Sequence, residues 1–205
     1  LFISSLLMAI YSYTQVGLIV THALMAVFPL LTVLLSGVFL KEEITRIKLA
    51  AVGVGFLGVI IIINPINLQF SLVSFLPLIS AVTFAIYAVL TRKVASTDNT
   101  ETSFFWVSLV SAIAITIPSP LFYKPIHFSD IYFLILLCVF SLVGHFLLTN
   151  AYRHAEASVL QPFSYFHLFF ASLVGIIFFQ DPLTISTVAG GGLIVFGGIL
   201  ISRKS

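Results

Sequence analysis

Three features of the sequence predict an all-α integral membrane fold: its composition, the spacing of its charges and an internal repeat. The 205 residues are 60% hydrophobic and only 8% charged, with a mean hydropathy of +1.20. A soluble domain carries roughly 25% charged residues. The few charges fall in short clusters, separated by apolar runs of about 20 residues, the length a helix needs to cross roughly 30 Å of hydrocarbon. A net charge of +2, with no basic patch interleaved with aromatics, argues against a nucleic-acid partner. The single cysteine, Cys138, has no internal disulfide partner and is expected to be a small buried hydrophobe. The chain opens at Leu1 inside an apolar stretch, with no basic segment before it and no small-residue cleavage site after it. That pattern reads against a secretory signal and for a chain lacking its true beginning.

Eight apolar segments follow in order: 1–13, 18–40, 44–64, 72–91, 103–119, 129–150, 157–179 and 183–202. The first is too short to span unless residues precede it. Punctuation marks the connectors: Asn64-Pro65, the polar run from Ser96 to Thr102, Pro118-Ser119-Pro120 and Asp181-Pro182. In each proline pair the preceding residue is pushed out of helical conformation.

Basic residues set the expected orientation. If spans alternate sides, one set of connectors holds Lys41, Arg46, Lys48, Arg92, Lys93, Arg153, Arg203 and Lys204, and the other holds only Lys124. The C-terminus is therefore expected in the cytoplasm. A shift of 139 positions aligns Phe39 with Phe178, Thr45 with Thr184, Gly53 with Gly192, Gly58 with Gly197 and Ile60 with Ile199, and sets Glu42 against Asp181. Five spans separate the two copies, an odd number, so the copies run in opposite directions. The expected fold is about eight transmembrane helices of a total of ten, in two inverted five-helix repeats. Residues 1–66 supply the last three helices of the first repeat, and residues 67–205 the whole second repeat.

Two passages carry a family resemblance. One runs from Tyr13 through Pro29 and Leu40-Lys41-Glu42-Glu43 to Gly53 and Gly58. The other runs from Ala157-Ser158-Val159-Leu160-Gln161-Pro162-Phe163 through Gly175 and Gln180-Asp181-Pro182 to the glycines between 190 and 198. A small-residue helix start, a mid-helix proline, an acidic helix end and a glycine-rich last helix resemble the EamA domain of the drug/metabolite transporter superfamily. The resemblance implies ten helices, cytoplasmic termini and a central cavity for small metabolites. Gln180-Asp181 departs from the family's usual Gly-Glu pair.

No segment carries Asp, Glu, Lys or Arg near its middle. Such residues cost roughly 2.5–3.5 kcal/mol at the bilayer centre and mark ion paths where they occur. Recognition is left to neutral polar and aromatic groups. Ser141, His145, Thr149 and Tyr152 share one helical face, as do Gln161, Ser164, Tyr165 and Ser172, and as do Ser80, Thr83, Tyr87 and Thr91. His22 lies on the second segment, two turns before Pro29. Convergence of these faces would make His22, Tyr87, His145, Thr149, Gln161 and Tyr165 the candidate substrate-binding residues. Many Ser and Thr residues in membrane helices instead bond the carbonyl one turn back. His145 is the favoured titratable group within the spans, whereas His167 is rotated away from the Gln161–Tyr165 face of a regular helix. Pro29 and Pro162 are candidate gating kinks. Arg153 and Glu156 are expected to form a local surface pair.

The expected activity is secondary transport of a small polar or zwitterionic metabolite, such as an amino acid, nucleoside, methyl donor or drug-like compound, by alternating access. Its partners are that metabolite and the lipid bilayer of a bacterial inner membrane. Glycine seams also leave room for a homodimer. No cofactor or metal motif is present, and neither an acid pair nor an HExxH pattern supports an enzyme. A membrane-embedded scaffold without transport is the alternative, and an intramembrane enzyme a weaker one.

Overall fold

A computed structural model describes residues 1–16, 18–63, 73, 75–122, 125–167, 169–170, 173, 177 and 185–202. The described residues fold as helices: α1 (Phe2–Gln15), α2 (Leu18–Met25), α3 (Phe28–Phe39), α4 (Arg46–Ile63), α5 (Phe75–Val94), α6 (Thr100–Thr116), α7 (Ile131–His154), α8 (Ala157–Leu160) and α9 (Ile185–Ser202). A 3-10 turn, Gln161–Tyr165, continues α8. Among the described residues three helical stretches are long and apolar enough to cross a membrane: Phe75–Val94, Thr100–Leu121 and Phe128–His154. Shorter apolar helices cover Phe28–Phe39 and Val188–Gly197. The expected boundary dipeptides Asn64-Pro65 and Asp181-Pro182 lie outside the described residues, as does Ser172.

The expected segment 18–40 is two helices rather than one. α2 ends at Met25, and α3 restarts with Pro29 in its first turn, where the missing proline N–H costs no hydrogen bond. α6 begins conventionally: the Asn99 side chain accepts from the Thr102 N–H at 2.8 Å. Its first residue reaches α7, with Thr100 Oγ1 donating to Asn150 Oδ1 at 3.0 Å.

The closest packing joins α4 to α9, where glycine replaces side-chain volume. A Cβ on Gly58 would lie 2.6 Å from the Gly190 carbonyl oxygen and 3.2 Å from the Ile194 nitrogen. One on Gly197 would lie 2.8 Å from the Ala51 carbonyl oxygen and 3.4 Å from the Gly55 nitrogen. All three pairs, 58 with 197, 51 with 190 and 55 with 194, are 139 positions apart, so the contact is reciprocal. α1 meets α5 through a second mutual contact: Ser5 Oγ donates to the Ser80 carbonyl at 3.0 Å, or Ser80 Oγ to the Ser5 carbonyl at 2.8 Å. Val33, Val52, Val59, Tyr165 and Ile194 form the buried cluster beside the α4–α9 seam.

α6 and α7 turn large apolar side chains outward, including Phe105, Val110, Phe133, Phe140 and Leu147. That face suits lipid, for which apolar exposure costs nothing. Cys138 sits on it and is exposed, contrary to the buried position expected from its apolar neighbours. An apolar run has the same appearance whether it faces a core or the acyl chains.

Candidate functional site

The break between α2 and α3 creates the main cavity. Helix interruption leaves the Ala26 carbonyl accessible, and the buried Tyr165 hydroxyl donates to it at 3.1 Å. This bond ties the 3-10 turn to the break. Gly55 on α4 makes room for the Tyr165 ring, since a Cβ there would lie 2.5 Å from ring carbon Cδ2. Around this anchor lies a cavity of about 320 Å³, lined by Tyr13, His22, Met25, Ala26, Phe28, Val59, Phe84, Tyr165 and His167. Rings dominate its wall. Tyr13 and His22 have centroids 5.4 Å apart, His22 and His167 5.6 Å, and Phe28 meets Phe84 edge-on at 5.1 Å. No Asp, Glu, Lys or Arg is among these lining residues.

Gln161–Tyr165 is a 3-10 turn rather than the regular α-helix expected there. His167, just beyond it, lines the cavity with Tyr165, while Gln161 does not. The fully buried Gln161 donates from Nε2 to the Ala157 carbonyl at 3.1 Å and lies 3.5 Å from the Tyr152 hydroxyl. Its Oε1 has no partner among the described residues. Pro162 is buried in the same turn, and Pro29 in the first turn of α3.

The remaining candidates form a second cluster. The Tyr87 hydroxyl and His145 Nε2 are hydrogen-bonded at 3.2 Å, and Phe2 stacks on the His145 ring with centroids 4.5 Å apart. Thr149 donates to the His145 carbonyl at 2.9 Å, one turn back, as Thr91 does to Tyr87 and Thr83 to Ile79. Tyr87 borders a second cavity of about 320 Å³ with Phe2 and Trp106, and a third of about 220 Å³ with Thr149 and Trp106. The polar faces therefore divide, with His22 and Tyr165 on the main cavity and Tyr87, His145 and Thr149 beside it. Phe84 bridges the two, its ring 5.8 Å from that of Tyr87.

At the far end of α3 lies a charged cluster. Lys41 takes a left-handed backbone conformation (φ 57°), which ends α3 and turns Glu42 toward α8. The Glu42 carboxylate accepts from the Ala157 N–H at 2.9 Å and the Ser158 N–H at 3.0 Å, capping the start of α8 from more than a hundred residues away. Arg92 lies 3.7 Å from the same carboxylate and donates to the Tyr152 carbonyl at 2.7 Å, near the end of α7. Lys48 pairs with Glu156 and donates to the Glu43 carbonyl at 2.7 Å. Glu156 thus pairs across the molecule, not with Arg153 as expected. Burial alone would raise the Glu42 pKa, but hydrogen bonds from Ser158, Ala157 and Ser36 outweigh it and hold the carboxyl below its ordinary value. Local pattern reading missed this cluster. Its one visible sign was the small-residue helix start Ala157-Ser158, whose N–H groups need an acceptor.

Comparison with known proteins agrees with this architecture. Residues 71–203 match the EamA-like transporter family. The chain is 28% identical to a riboflavin transporter of Brucella anthropi over 95% of its own length and 71% of that protein's. It is also 28% identical to the pseudopaline exporter CntI of Pseudomonas aeruginosa, over 94% of this chain and 69% of the exporter. One crystal structure superposes on the whole chain with a TM-score of 0.86, covering 75% of that protein, at 16% identity. The glycine-rich seam, the apolar helices and the family match lead to one conclusion: this chain belongs to the EamA-like transporter family and is an integral membrane protein.

Proposed function

We propose that the protein is a secondary transporter that carries a small polar or zwitterionic metabolite through the bacterial inner membrane by alternating access of two inverted halves. The observation that carries the reading is the main cavity. It lies where α1, α2, α3 and α4 (residues 1–66) meet α5 and the 3-10 turn (residues 67–205). The reciprocal contacts of Gly58 and Gly197 support an inverted relation between these halves. Transporter names among the relatives support carriage rather than catalysis.

The cavity's chemistry narrows the cargo. Four aromatic side chains and two imidazoles offer faces for stacking and few hydrogen bonds, and no side chain of fixed charge lines the wall. A planar, uncharged ring system or a zwitterion with an apolar body suits it. The cavity and the charged cluster flank α3, whose 12 residues span about 18 Å. The cluster gathers Lys48 and Arg92, so the positive-inside bias assigns that end to the cytoplasm. In this state the cytoplasmic end is closed by Glu42, Arg92, Lys48 and Glu156, and Pro29 and Pro162 stand at the breaks about which the halves rock. His22, Tyr165 and Tyr13 then contact the cargo directly.

The test is accumulation of compounds by the full-length protein in liposomes, offered a pool of amino acids, nucleosides, flavins and amines and read by mass spectrometry. Saturable accumulation above protein-free liposomes is expected for one compound class. Correctly folded protein that accumulates nothing, with or without a pH gradient, would overturn the transporter reading in favour of a scaffold.

A further inference from the structure

We infer that His22 and His167 together form a proton-binding site that couples proton movement to transport through the main cavity; the inference rests on the transporter reading above. His22 comes from α2 and His167 from the segment after the 3-10 turn, so the two imidazoles belong to different halves. They line one cavity with ring centroids 5.6 Å apart.

The hydrogen bonding of His167 defines its basic atom. Its Nδ1 lies 2.8 Å from the Ser164 carbonyl oxygen, which can only accept, so Nδ1 carries the proton and Nε2 holds the lone pair of the neutral ring. A proton arriving from water forms an N–H bond at Nε2 of His167 or at a ring nitrogen of His22. Two imidazolium ions this close repel each other, so a proton on one ring disfavours a proton on the other. On release that N–H bond breaks and the proton passes to water at the opposite end.

The surroundings leave the pair as the titrating unit. From α1 the facing group is Tyr13, and from the 3-10 turn Tyr165, both phenols that ionise far above neutral pH in their ordinary range. α4 and α5 present Val59 and Phe84. No carboxylate or fixed cation stands among the lining residues to hold the pair in one charge state. Because each half contributes one ring, motion of the halves changes the distance between the rings, and with it the ease of charging them. Proton occupancy and conformation are thereby linked. His145, the titratable group favoured by the sequence, is instead bonded to Tyr87 and stacked by Phe2, away from this cavity.

Two measurements on the full-length protein test the inference. Imidazole-nitrogen NMR in lipid nanodiscs, titrated over pH 4–9, reads the pair directly. Two-step, mutually dependent titration of His22 and His167 is expected, collapsing to one step for the ring that remains in His22→Gln or His167→Gln. Independent single-step titrations, unchanged by removing the partner, would overturn the pair. In liposomes holding a pH-sensitive dye, the metabolite pool should move protons with wild type and His154→Gln. With either cavity variant it should move none. Proton movement undiminished in both cavity variants overturns the coupling. Wild type that accumulates no compound refutes the transporter reading instead, and the NMR result still decides the pair.

Discussion

The two ends of α3 meet later parts of the chain with opposite chemistry. Its start, around Pro29, meets them across aromatic rings, a helix break and an open cavity, with a hydrogen bond from Tyr165 to the Ala26 carbonyl. Its end meets them through carboxylates, a guanidinium, an ammonium and the N–H groups of α8. Weak, non-directional contacts can slide, and they leave space for a ligand. Charge-assisted hydrogen bonds are either made or broken. The difference teaches how one fold holds two kinds of junction at once: directional bonds fix one end of α3, and ring packing around a cavity leaves space at the other.

The largest effect is expected at the charged end. Glu42 is almost fully buried as a side chain (6% exposed), so Glu42→Ala strands the Ala157 and Ser158 N–H groups and the Arg92 guanidinium. A loss of about 3 kcal/mol is expected, at the low end for breaking a buried pair, seen as a lowered melting temperature in detergent micelles. The sign of its pH dependence follows from its depressed pKa. A carboxylate held below its ordinary 4.5 contributes stability at pH values above that figure and loses it as pH falls through the folded value. Wild type should therefore lose stability in that acid window more steeply than Glu42→Gln. Parallel acid profiles would show that the cap does not hold this end.

Next in size is the α4–α9 seam. A leucine at Gly58 or at Gly197 meets backbone carbonyl oxygen within 3 Å and must push the helices apart. Each substitution should cost about 1–3 kcal/mol. The two should cost similar amounts, because their contacts are reciprocal, and unequal losses would break the symmetry. The smallest effect belongs to Lys48→Ala. Glu156 is 41% exposed in its side chain, so this pair is partly screened. A change of about 0–1 kcal/mol is expected from thermal melts. A loss as large as that of Glu42→Ala would move the main closure from the helix cap to the Lys48–Glu156 pair.

What the sequence made legible follows from how locally each feature is encoded. A kink near Pro29 was readable because proline acts on its own neighbours, but the division of segment 18–40 into two helices was not. The glycines of α4 and α9 were readable as a seam because small residues recur four apart, as in Ala51 and Gly55, though their use within one chain was not. The division of the polar residues into two sites was not readable. It depends on which helices pack against one another, and a helical spacing rule places residues on one face of their own helix only. Glu42's role was hidden for a different reason. Its acceptors' partners lie at Ala157 and Ser158, and nothing in the five-residue neighbourhood of either end names the other. Cys138 shows the limit of hydropathy itself, which measures dislike of water and cannot separate a protein core from lipid.

The central claim is that the cavity and the Glu42 cluster belong to one carrier that opens its two ends in turn. It is tested most directly by trans-stimulation in liposomes, using the full-length protein and a compound that it accumulates. Uptake of labelled compound should accelerate several-fold when the lumen is preloaded with unlabelled compound, because the loaded carrier returns faster than the empty one. Uptake that rises linearly with concentration and ignores what is inside would contradict alternating access and describe an open pore.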